Sequence, residues 1–369
     1  MQSIGVVADK RFATYLVSQT LPTVACFPKG RCVHSAACRN LQGAGFGNPN
    51  VSVSGKPKPM LMINEGNQFF SKKVWIFLAL TFLMTGIFDV TSVLLKVSGN
   101  AERLFTTAAM WCPAIAALLT KHICKEPINS LLWRWPKPKY LISAFFIPIL
   151  YSLITYVIIW TVGFGKFYNA DFVKGVATSF GISSLSSNWV IPLFVLMTGT
   201  FGLFRTAANA LGEEIGWRGF LTPELYNKYG FIKTSLTVGI IWAVWHYTVL
   251  IFGDYNNGTP FWYGLTCFTV MIISSSFIFT WFTIKSGSLF PGMILHATHN
   301  LYIQQIFTPL TKNIATTPWY IDEFGIVLPL ITTGFAIYFV ARRKALNTTE
   351  ANSIYEKGQL LTSALQYGG

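Results

Sequence analysis

Two adjacent carboxylates, Glu213 and Glu214, sit inside the apolar stretch AANALGEEIGWRGFL of a chain that has only 14 acidic residues. Three of its five histidines are also embedded in apolar runs, His246 in IIWAVWHYTVLIF and His296 and His299 in LFPGMILHATHNLYI. A carboxylate and an imidazole can together hold a water molecule and take its proton, the general-base half of a hydrolysis. Asn300 beside His296 adds hydrogen-bond donors that could stabilise an oxyanion as water adds to a carbonyl. The sequence has no Gly-x-Ser-x-Gly elbow and no cysteine beside a histidine in a nucleophile-like context. Water activated by the protein or by a metal is the chemistry that remains.

Helical spacing shows which of these groups can act together. Glu214 and Arg218 are four apart, so on a helix they share a face and can form an ion pair. Glu213 then points roughly 100° away, toward a cavity or another helix. His296 and Asn300 are likewise four apart, with His299 three residues past His296, flanking the site or spare. Trp242 and His246 form a third such pair, an aromatic wall below a histidine. Three helices thus each present a polar group, and one shared site would satisfy them all.

The elements that must position these groups are membrane helices. Of 369 residues, 52% are hydrophobic and 11% charged, less than half the charge of a soluble globular chain. Eight apolar stretches approach the twenty or so residues a bilayer requires. They cover about 74–95, 104–120, 141–163, 190–212, 232–252, 261–284, 288–308 and 324–341. The expected fold is an all-α, polytopic membrane helix bundle of about eight transmembrane helices enclosing a polar intramembrane cavity. Basic residues favour alternate connections: Lys72 and Lys73 before the first stretch, five between the second and third, and Arg342, Arg343 and Lys344 after the eighth. That bias puts both termini on the cytoplasmic side, or its stromal or matrix equivalent.

Residues 1–59 read differently, rich in Gly, Ser, Ala and basic residues, and are expected to be an unpacked leader, transit-like or upstream of the true start. Residues 60–345 form the membrane domain, with a motif core at 190–308, and 346–369 a polar tail. The net charge of +14 is spread between apolar runs rather than gathered on one polar face, which argues against nucleic-acid binding. The six cysteines show neither zinc-site spacing nor a disulfide framework.

Glu213-Glu214-Ile215-Gly216-Trp217-Arg218 resembles the Glu-Glu-x-x-x-Arg motif of the CAAX protease and bacteriocin-processing family of intramembrane endopeptidases. Trp242 to His246 resembles its Phe-x-x-x-His motif, with Trp at a packing position, where it bears on substrate fit more than on chemistry. His296 to Asn300 resembles its His-x-x-x-Asn motif. The resemblance implies Glu213 and His246 as the pair activating water, His296 and Asn300 as oxyanion stabilisers, and Glu214 and Arg218 as a supporting pair. It implies either no cofactor or a zinc ion held by Glu213, His246 and His296; Asn300, a poor zinc ligand, fits the first better. The implied partners are the lipid bilayer and a membrane-tethered peptide or protein, a prenylated CAAX-type C-terminus or a bacterial leader peptide. Two rival readings are a non-catalytic scaffold or immunity protein of the same fold and a secondary transporter, for which no internal repeat is visible. One geometric conflict stands: simple counting puts Glu213 at the end of the fourth stretch and His246 about 22 Å deeper in the fifth.

Overall fold

In the computed structural model, residues 69–253 and 258–347 are described, so the expected leader and the tail beyond residue 347 lie outside the described part. The described chain is almost entirely helical, as the apolar runs require, because only helices or closed barrels satisfy every backbone group in lipid. Helix α1 spans Lys72–Leu94, α2 Gly99–Ile123 and α3 Pro138–Val162. A short helix α4, Ala170–Ser179, precedes the long run α5, Ser187–Phe252. Then follow α6 at Phe261–Ser286, α7 at Phe290–Asn300 and α8 at Val327–Ala341. The two strands among the described residues are dipeptides, Lys166–Phe167 and Thr311–Lys312, paired antiparallel.

All eight apolar stretches are helical. Five helices are long and apolar enough to cross a membrane by length and composition: α1, α2, α3, α5 and α6. The count falls below eight partly because the fourth and fifth stretches belong to one run of 66 residues. Helix α8 has 15 residues, and α7 continues as a π-helical turn, Leu301–Phe307, that carries Gln304 and Gln305. Outward faces are apolar and open, with Leu83, Leu94, Phe146 and Phe204 all more than half exposed, as lipid-facing residues are. The chain is an integral, all-α membrane bundle.

The architecture of α5 resolves the depth conflict. Helical hydrogen bonding runs on from Glu214 into a π-helical turn, Ile215–Leu221, and then to Gly230, whose φ of 68° and ψ of −175° break the run. Only glycine adopts that backbone readily. Every residue from Gly212 to Thr222 is buried. The stretch assigned to a membrane edge therefore lies inside the bundle. Its glycines allow this: a Cβ on Gly212 would sit 2.7 Å from the Met110 carbonyl, and one on Gly216 would sit 2.5 Å from Cβ of Pro113. Backbone meets backbone there, the close approach that small residues give membrane helices.

Around this segment α2 and α7 pack against the first half of α5, while α6 packs against its second half and against α8. At one end of the bundle Lys73 reaches Glu126 (2.9 Å) and Glu224 (2.8 Å), and Lys121 reaches Glu126 (2.6 Å). Partial burial works against the Glu126 charge, yet hydrogen bonds from Lys121 and Lys73 hold its carboxyl below the usual range. The cluster ties the start of α1, the end of α2 and the middle of α5 together.

Candidate active site

Glu213 is 1% exposed, and its Oε2 accepts two indole N–H groups, from Trp242 at 2.8 Å and from Trp217 at 3.3 Å. The Trp242 bond crosses from the first half of α5 to the second, so the two halves meet at the carboxylate. One turn beyond Trp242, His246 Nδ1 lies 2.9 Å from the Trp242 carbonyl. A carbonyl can only accept, so Nδ1 carries the proton and Nε2 keeps its lone pair. Trp245 and Phe268 hold the ring edge-on, at centroid distances of 4.6 and 5.0 Å.

The neighbouring carboxylate serves other partners. Glu214 Oε1 takes Arg218 Nη1 at 3.0 Å and His296 Nδ1 at 3.0 Å, all three residues being buried. The Arg218 guanidinium lies over the rings of both Trp242 and Phe279, 4.2 Å from each centroid. Such cation–π contacts, desolvated, are worth about 2 kcal/mol. Gly292 on α7 leaves the room: a Cβ there would lie 2.8 Å from Glu214 Oε2. The pair expected at i, i+4 thus exists, and it also fixes the ring of His296.

Glu213, Trp242, His246, His296, His299 and Asn300 all line one cavity of about 790 Å³. All these side chains, drawn from two helices, α5 and α7, face one space. The structure corrects the sequence reading on one of them and decides it on another. Trp242 does not merely pack: as a hydrogen-bond donor it acts on Glu213 directly. His299, left open as flanking or spare, flanks the site, its Nδ1 meeting the Tyr151 hydroxyl at 2.7 Å and its Nε2 meeting Glu323 Oε1 at 2.9 Å.

Glu323 and Tyr151 are the site residues the sequence did not offer. Glu323 lies in the connection before α8, 4% exposed, also accepts from Gln304 Nε2 at 3.1 Å, and lines the cavity. A carboxylate in a loop and a tyrosine in an apolar helix are ordinary by type. The one available signal was His299, a second buried imidazole that needed partners. Among the described residues no three His, Cys, Asp or Glu side chains come together so as to hold a metal ion, so the zinc set of Glu213, His246 and His296 is not assembled in this arrangement.

The geometry can be set beside known proteins. Residues 195–302 match the model of a family described as type II CAAX prenyl endopeptidase Rce1-like. This chain is similar to the CAAX protease family through its motif core. The matched stretch contains all three motifs, from Glu213 to Asn300. Over 151 residues the chain is also 30% identical to CAAX prenyl protease 2 of Methanococcus maripaludis, covering 39% of this chain and 52% of that protein. The match thus spans about half the length of this curated relative.

Proposed function

We propose that this chain is an intramembrane endopeptidase that hydrolyses a peptide bond of a membrane-tethered substrate. A CAAX-type prenylated peptide is the substrate class to which the names of its relatives point. One observation carries the reading: Glu213, His246, His296 and Asn300 line a single cavity between membrane helices. A shared polar task accounts for that convergence in lipid, where each such group is expensive.

In the proposed reaction a water molecule lies between Glu213 and His246 Nε2. Its oxygen attacks the carbonyl carbon while its proton passes to this pair. His296 and Asn300 donate to the oxyanion that forms. Glu214, paired with Arg218, accepts from His296 Nδ1–H and fixes the ring so that Nε2 faces the cavity. As the tetrahedral species collapses, the C–N bond breaks and the captured proton goes to the leaving amine. No step requires a group that the chain itself does not supply.

The test is cleavage of a panel of prenylated and plain peptides by the purified protein in liposomes, with and without chelator. Cleavage of prenylated peptides, unchanged by exhaustive chelation, is the expected result. Loss of activity on chelation, restored by zinc, would overturn the direct mechanism. Solute uptake by the same liposomes without any cleavage would overturn the peptidase reading.

A further inference from the structure

Asp89, in the first membrane helix, takes no part in the proposed chemistry. It is 8% exposed, and it lines the cavity. Its carboxylate has no hydrogen-bond or ion-pair partner among the described residues. A carboxylate in such a place is expensive unless something pairs with it. The polar groups near it form a track. Asp89 and Ser92 share the cavity face of α1, Lys96 lies in the connection at 95–98, and Glu102 and Thr106 share the cavity face of α2, a track leading inward toward Glu213.

Two further observations fix what Asp89 would receive and where. Thr85, one turn before Asp89 on the same face, accepts the Trp245 indole N–H at 2.9 Å, and Trp245 flanks His246. Asp89 is therefore about one helical turn, roughly 5.4 Å, from the level of the histidine. An extended peptide advances about 3.3 Å per residue. Besides three histidines, the cavity lining carries Asp89, Glu102, Glu213 and Glu323 against a single lysine, Lys96. A space with that excess of carboxylates selects cations and repels anions.

We propose that Asp89 is a specificity-determining residue, whose carboxylate pairs with a lysine or arginine of the bound peptide, one or two positions from the bond that is cut. The proposal rests on the reading of the cavity as a peptide site, and binding separates it from the chemistry. Fluorescein-labelled, farnesylated decapeptides, identical except for one lysine or norleucine scanned along the chain, are titrated against full-length Glu213→Gln protein in liposomes. At one position lysine should bind at least about 10-fold more tightly than norleucine, the least expected of a desolvated charge pair. Adding Asp89→Asn should bring that ratio close to one. Adding Asp89→Lys should shift the preference to a glutamate-bearing peptide.

No lysine preference in the Asp89 protein, or one that survives Asp89→Asn, overturns the proposal, as does failure to bind any peptide of the set. Thermal unfolding of each variant checks that the bundle is intact. Lysine-selective binding that depends on Asp89, in a wild-type protein that cuts none of these peptides, supports the recognition role and overturns the hydrolase reading alone.

Discussion

The indole N–H of Trp242 donates to Glu213 Oε2 at 2.8 Å, tying the second sequence motif to the first across the break at Gly230. A phenylalanine, the residue the family motif has there, would fill much of the same space without the donor. A hydrogen bond to a charged group contributes about 1.5–3 kcal/mol. Trp242→Phe should therefore lower kcat/KM by roughly 10- to 100-fold, with a smaller effect on thermal unfolding. If Trp242 only packs, the variant will cleave at the wild-type rate, a result that kinetics on a single peptide can establish.

The four groups facing the cavity should respond differently from those behind them. Glu213→Gln, His246→Ala and His296→Ala are each expected to reduce kcat by about 10²- to 10⁴-fold, the usual yield of general acid–base catalysis. Asn300→Ala should cost about 10²-fold or more, as removal of an oxyanion donor does. Unfolding temperatures should change little, since Glu213→Gln keeps the acceptor that the two indoles use. Full activity in purified His246→Ala would remove His246 from the reaction.

How much of this was legible beforehand differs residue by residue. Apolar run length revealed the helices, because in lipid the backbone has few other options. Spacing of four residues revealed Glu214–Arg218 as a pair, since that is a local property of one helix. The depth of Glu213 was not legible: it depends on α5 continuing as buried helix through Gly212–Thr222, which close approach to α2 permits. The Trp242–Glu213 bond and the Tyr151–His299–Glu323 chain were also hidden, joining residues 29, 148 and 24 positions apart. No periodicity in one helix specifies a partner in another.

Arg218 is fully buried, and its Nε and Nη2 have no hydrogen-bond partner among the described residues. Its charge is balanced by Glu214 and by the faces of Trp242 and Phe279. Truncating one member of such a pair leaves the other charge buried alone, which costs about 3–5 kcal/mol. Arg218→Ala should therefore unfold at markedly lower temperature, unlike the cavity-facing variants. Gly292→Ala offers a milder probe, because the new methyl would press on Glu214 Oε2. Overpacking of that kind costs about 1–3 kcal/mol, and it should lower activity through His296 as well. Unaltered stability in both variants would mean that the pair is not held as described.

Asp322, outside the membrane helices, supplies a pH-dependent test of the loop that carries Glu323. Burial, and then the neighbouring Glu323 charge, push its carboxyl up to about 7 from an ordinary 3.8. Between those two values the folded state holds more protons than the unfolded chain, so stability falls as pH rises through this window. Below it the group contributes nothing, and above it the full penalty applies. Asp322 has a φ of 66° and accepts the Glu323 N–H at 2.8 Å. Asparagine keeps the acceptor, tolerates this left-handed backbone and has no charge to bury. Asp322→Asn should thus raise the unfolding temperature at about pH 8 and match wild type near pH 4. Glu126 has the opposite sign: its depressed carboxyl stabilises above its ordinary 4.5, and that contribution is lost as pH falls. The two windows meet only near pH 4, so a gain for Asp322→Asn that appears only in acid would place the titration elsewhere.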